Sequence, residues 1–241
     1  MMGIERREQK EKEPRKKNRN SIIFDQRGVT LVELLVVLVI SGLLLGGIYY
    51  LFVAQTRAYT VQEQVVEVQQ SLRGAMEIML RDLRMAGFDR DAVTSKINIL
   101  TPIVVGDESV TVNYENDDTT QYTILYQRNA GDSTLIRQLT TTKDDGTTVV
   151  GPQEVLLENV ENLEFRYGID EDADGAMDDL NSNGQIDEND WVSAADVGNR
   201  KVIAVRIFLR ARPAEVNPDL QVVSPRTLVS AVTLRNQCLS R

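Results

Sequence analysis

RGVTLVELLVVLVISGLLLGGIYYLFVAQTR, residues 27–57, decides how the remainder of the chain is read. Between Glu33 and Arg57 no side chain is charged, and Leu, Val and Ile dominate. A helix built from Leu34–Thr56 is apolar on every face. About 20 such residues cross a bilayer core of roughly 30 Å, and in hydrocarbon the backbone must satisfy its own hydrogen bonds, so the segment is expected to be helical. Glu33 lies at the edge of this run. A carboxylate there is costly without a partner, which makes it a candidate functional residue.

Working outward, charge is divided unevenly. Residues 1–28 hold nine Lys/Arg and five Asp/Glu, whereas the remaining residues hold 18 and 31. The acidic body would repel phosphate, which argues against nucleic-acid binding. The absence of His removes the commonest general base and transition-metal ligand. A single cysteine, Cys238, excludes an intramolecular disulfide and, without His, a Cys–His catalytic pair. Residues 1–21 are polar and without apolar periodicity, as in disordered segments. A basic stretch before an apolar run resembles the start of a signal peptide, but the run is too long for a signal-peptide core and has no small-residue cleavage site after it. The positive-inside rule keeps the basic side cytoplasmic and places the body across the membrane.

Gly28 followed by Val29-Thr30-Leu31-Val32-Glu33 resembles the processing site of type IV prepilins and type II secretion pseudopilins. The resemblance implies that a membrane peptidase cuts after Gly28 and N-methylates Val29, where the family usually has Phe. Glu33, fifth in the mature chain, then matches the Glu that the family uses in filament assembly. The implied organisation is a cleaved leader over 1–28, a transmembrane and filament-core helix over 29–56, an amphipathic half over 57–88, and an extracytoplasmic β-rich domain over 89–241. Arg57-Ala58-Tyr59, Arg81 to Phe88 and Leu234-Arg235-Asn236 look most like PilW-type minor pilins, with J-type pseudopilins similar. No motif of the family is evident between residue 90 and the last forty.

The residues after Arg57 support that architecture independently. Val61, Val65, Val68, Leu72, Ala75, Met79 and Leu83 recur at spacings of three and four, a stripe expected to pack on the protein's own sheet. Gly87 reads as a helix stop. From Lys96 the pattern turns to period two and β-branched residues, with strands expected at 97–99, 110–114, 122–126, 134–140, 155–160, 163–167, 202–209 and 227–234. Glu115 to Asp118 and Asp144-Asp145-Gly146 supply turn chemistry. The expected fold is α+β and pilin-like: a long N-terminal helix, half membrane-embedded, packed on an antiparallel sheet.

The acidic insert 169–191 carries two calcium-type loops. Asp170, Asp172 and Asp174 alternate ahead of Gly175, and Asp178 follows in the same loop. Asp179, Asn181, Asn183, Gln185, Asp187 and Asp190 occupy the second register, with Gly184 at position six and Ile186 at position eight. Calcium takes six to eight oxygens, which a twelve-residue loop supplies from positions 1, 3, 5, 7, 9 and 12. The second loop fits more completely, since the first ends on Asn181. A solvated acidic linker has the same composition, but the repeated register and Ile186 favour a structural calcium ion, one rather than two.

The expected function is that of a minor pilin that initiates or tips a type IV pilus, with prepilin peptidase, other pilin subunits and the inner membrane as partners. A J-type pseudopilin is the alternative. No nucleophile elbow, phosphate loop, His set or paired catalytic acids support a membrane-anchored enzyme.

Overall fold

The computed structural model describes residues 28–90, 96–213 and 224–238, so the leader expected over 1–28 lies, apart from Gly28, outside the described residues. One helix, α1, runs from Leu31 to Arg84. The chain divides after Phe52 into two units. In the first, every described residue is exposed, from Gly28 to Phe52, including Leu31 at 81% and Leu43 at 74%.

Among its described residues, the second unit contains the rest of α1 and eight antiparallel strands. Strands β1 (Ile103–Val105), β2 (Ser109–Asp117), β3 (Thr120–Asn129), β4 (Thr134–Lys143) and β5 (Thr148–Leu157) form one sheet in sequential order. A second sheet contains β6 (Val160–Asp170), β7 (Lys201–Ala211) and β8 (Arg226–Thr233), also in sequential order. The fold is thus a long apolar helix leading into an α+β, pilin-like body, with two sheets where the sequence suggested one.

The break between sheets falls where the sequence pattern merged two elements. The run read as a strand over 155–160 contains the end of β5, a turn and the first residue of β6. Asn159 stands there at φ 55°, in the left-handed region that Asn tolerates. The segment 97–99 is not a strand either. Ile97 is buried as the alternation suggested, but the Leu100 N–H bonds back to the Asn98 carbonyl, and ladder pairing begins only after Pro102. Pro152 is accommodated because β5 is a sheet edge.

Both sheets and the second half of α1 share one core. Val68, Leu72, Ala75, Met79 and Leu83 are buried there, and Val61 and Val65, nearer the start of the stripe, are half-buried. They meet Val112, Ile124 and Leu135 of the first sheet and Leu163, Phe165 and Ile207 of the second within a single apolar cluster. Tyr167 joins the sheets: its hydroxyl donates to the Gly106 carbonyl at 2.7 Å and accepts from the Gly106 N–H at 3.0 Å. Burial, the largest influence, pushes this phenol well above its usual value.

A buried polar knot fixes α1 to the first sheet. Asp82 is 4% exposed. Its carboxylate accepts from the Tyr126 hydroxyl at 2.5 Å and from Arg137 Nε at 3.1 Å. Arg137 also reaches Glu154 on β5 at 3.4 Å. A buried carboxylate is tolerable when hydrogen-bonded and paired in this way. Burial, then Asp82, pushes the Tyr126 phenol far up.

The helix stops as its sequence suggests. After Arg84 the chain tightens into a turn, with Gly87 at φ 69°. A side chain at Gly87 would also run into Pro102 and Gln237. The short helix α2 (Arg235–Cys238) covers the end: Asn236 Nδ2 donates to the Ala86 carbonyl at 3.2 Å and the Arg84 carbonyl at 3.4 Å, satisfying groups that a helix terminus leaves open.

Candidate functional sites

The first candidate site is the N-terminal end of α1. Gly28 is exposed, with nothing within 4 Å of where a side chain would begin. Val29 is 69% exposed. Thr30 precedes the first helical residue, and its hydroxyl accepts from the Glu33 N–H at 3.2 Å. Thr30-Leu31-Val32-Glu33 is therefore also the pattern of a helix N-cap with an acid three residues on. A carboxylate in the first turn suits the positive end of the helix dipole. Glu33 is thus also suited to the start of its own helix, which the sequence reading missed. Downstream, from Leu34 to Phe52, the exposed helix carries no charge that could partner Glu33.

The second candidate site is the acidic insert between β6 and β7. Asp170 is the last residue of β6 and is 3% exposed; Asp172 and Asp174 are exposed. Each of the three offers an oxygen, all within 4.8 Å of one another. Backbone N–H groups hold the curve: Gly175 donates to Asp170 Oδ2 at 3.1 Å, Asp174 to Asp172 at 3.1 Å, and Ala176 to Asp174 at 2.7 Å. Gly175 has φ 84°, and the Cys238 carbonyl fills the space a side chain would need. Asp178 closes the loop by accepting from the Glu171 N–H at 2.5 Å. The Cys238 thiol is half-buried, and burial raises it above its usual value.

The second loop is arranged differently. Asp179 accepts from the backbone of Asn183 and Gly184, at 3.2 and 2.5 Å. The side-chain amides of Asn181 and Asn183 both turn onto Asp187, at 3.2 and 2.8 Å. The Asn189 N–H, then these amides, hold the Asp187 carboxyl below the usual range. Asp190 is wholly buried, and its two oxygens accept from Leu180 and Asp187 N–H groups at 2.9 and 2.6 Å. Gln185 is exposed and its backbone N–H donates to Asn183 at 2.8 Å. Ile186, the hydrophobic residue at position eight of this loop, is 50% exposed. The corresponding residue of the first loop, Met177, is the one that packs, with its sulfur over Gly168.

Sequence reading found neither Asp82 nor Asn236 as an anchoring residue. Asp82 carried a usable signal, since it is an acid falling on the apolar stripe beside Leu83. Asn236 carried only a family likeness, because its partners lie about 150 positions away.

An exposed apolar helix with Glu33 in its first turn, continuing into an α+β body, is the arrangement of pilin-like proteins. Comparison with family models agrees at both ends of the chain. Residues 23–49 match the prokaryotic N-terminal methylation motif, and residues 121–233 match type IV pilus-assembly protein W, PilW. Together the two matches support a PilW-like type IV pilin. The PilW match covers β3 to β8, including the middle region where the sequence reading found no motif. No curated protein matches the chain. The methylation motif implies processing by a prepilin peptidase and assembly with other pilins. Both matched families are structural components of pili.

Proposed function

We propose that the chain is a minor pilin that helps initiate or tip a type IV pilus. The observation that carries this reading is the helical stretch from Leu31 to Phe52, exposed along its whole length and bearing one acid, Glu33. So much apolar surface needs lipid first and neighbouring helices later. Prepilin peptidase removes residues 1–28 and frees the Val29 amine, while the body lies outside the cytoplasm. In the filament core Glu33 neutralises the amine of an adjacent subunit. Each charge offsets the burial cost of the other, and the pair sets axial register.

Mass spectrometry of the protein extracted from a strain with active prepilin peptidase tests the first step. The expected N-terminus is N-methyl-Val29, and an unprocessed chain would overturn the reading. Gly28→Ala should block maturation. Glu33 requires two substitutions, because it is also positioned to help cap its own helix. Glu33→Gln keeps that capping capacity but removes the charge. Both Glu33→Gln and Glu33→Ala should be cleaved yet fail to enter filaments. Normal assembly of the Gln variant would limit Glu33 to capping. The J-type pseudopilin reading predicts co-purification with secretion subunits, whereas the PilW match favours pilus subunits.

A further inference from the structure

We propose that the first loop of the acidic insert, not the second, binds one calcium ion, with Asp170 as its buried anchor. Three observations converge on Asp170, Asp172 and Asp174. First, Asp170 is 97% shut off from solvent, since its exposure is 3%. Its Oδ2 accepts from the loop's own Gly175 N–H, yet its Oδ1 is buried and accepts no hydrogen bond. A buried carboxylate oxygen left without a partner is costly. A cation shared with the Asp172 and Asp174 oxygens, all within 4.8 Å, supplies that partner.

Second, the insert distinguishes its acids by position. Glu171, at a non-ligand position, pairs with Arg200 at 2.6 Å, and Glu188, also at a non-ligand position, pairs with Arg206. Among the described residues, no Lys or Arg forms a salt bridge with Asp170, Asp172, Asp174 or Asp178. The arginines near the insert neutralise the acids that calcium would not use.

Third, the second loop already satisfies itself. Asn181 and Asn183 donate to Asp187, and both Asp190 oxygens are occupied by backbone N–H groups. No oxygen of that loop is left buried and unpartnered. The first loop is also the better seated, through Met177 over Gly168 and Gly175 against the Cys238 carbonyl. Position seven supplies the Ala176 carbonyl and position nine the Asp178 carboxylate, which with three Asp gives an oxygen set of the kind calcium takes. Magnesium is seldom held by such an all-protein cage.

Thermal melting of the full chain in detergent tests the assignment, with calcium chloride at about 10⁻³ M against a chelator. That concentration is the upper end of the range for extracellular calcium modules. Wild type should melt about 3–6 °C higher with calcium, the shift that a ligand near ten times its Kd gives a domain of this size. Asp170→Asn removes the charge and keeps the shape. In chelator it should melt at or above wild type, and calcium should not move it. Exposed Asp172→Ala should also lose the shift, whereas Asp187→Ala in the second loop should keep it. The proposal is overturned by no shift in wild type, or by a shift that survives Asp172→Ala. Loss of the shift in Asp187→Ala alone would overturn the choice of loop. An equal response to magnesium chloride would overturn the choice of ion.

Discussion

The two halves of α1 are continuous in sequence and opposite in physics. From Leu31 to Phe52 the helix is apolar and entirely exposed, and its one acid, Glu33, sits at the surface. From Gln64 to Leu83 the helix is far more polar, yet it buries Val68, Leu72, Met79 and even Asp82. Hydrophobicity therefore does not by itself say what a helix segment is buried in. The first half has no core of its own and requires lipid or other helices as its surroundings. The second half makes a core with two sheets and brings a carboxylate inside because Tyr126 and Arg137 are there to receive it. Partners, not polarity alone, decide where a side chain is stable.

That contrast can be broken most forcefully at Asp82. Replacing it by Ala leaves the Tyr126 hydroxyl and Arg137 without their shared acceptor, and removing one member of a buried pair costs about 3–5 kcal/mol. Urea unfolding of the detergent-extracted chain should show this loss. A change below about 1 kcal/mol, the scale of exposed pairs, would mean the knot does not hold the helix to the sheet.

A paired truncation sharpens the difference between halves. Met79→Ala should cost the body about 2–5 kcal/mol, the range for large-to-small changes in a core. Leu44→Ala removes a similar apolar side chain from the first half and should leave body stability within about 0.5 kcal/mol, as for surface substitutions. Similar losses from both would erase the distinction drawn here.

The smallest effect is the pH dependence of the buried phenols. Burial raises Tyr126 and Tyr167 above the ordinary value of 10.0. The unfolded chain ionises them near pH 10, while the folded body keeps them protonated. The stability they confer is therefore full below about pH 10 and declines as pH rises above it. Each contributes a slope of up to about 1.4 kcal/mol per pH unit in that window. Melting curves between pH 8 and 11 should show the decline, and Tyr126→Phe should flatten it. An unchanged slope in that variant would remove Tyr126 as a source.

Much of the fold was legible because its signals are local. Residues 34–56 have one composition and one plausible structure. The stripe from Val68 to Leu83 has helical spacing, and most strands show period two between polar turns. Errors arose where locality ends. The run 155–160 looked continuous because a left-handed Asn159 costs little and leaves no mark on the alternation. Ile97 and Ile99 face inward or partly inward without a ladder, because burial and strand pairing are separate requirements. In the acidic insert, spacing identified both loops but favoured the second, since Ile186 completes its pattern. Side-chain partners reverse that preference: Asn181 and Asn183 fill the second loop, while Asp170 is left with an unsatisfied oxygen.

The sequence by itself determined the long apolar helix, the Gly28–Glu33 motif at its start and the β-rich body after it. These depend on composition and short spacings that no distant contact can change. Only the tertiary structure decided that the body has two sheets, that Asp82 is the knot joining helix to sheet, that Asn236 caps a helix 150 positions earlier, and that Asp170 is the buried acid of the insert. Each of these depends on which groups meet across long loops. Burial and hydrogen bonding are properties of that meeting and not of any residue alone.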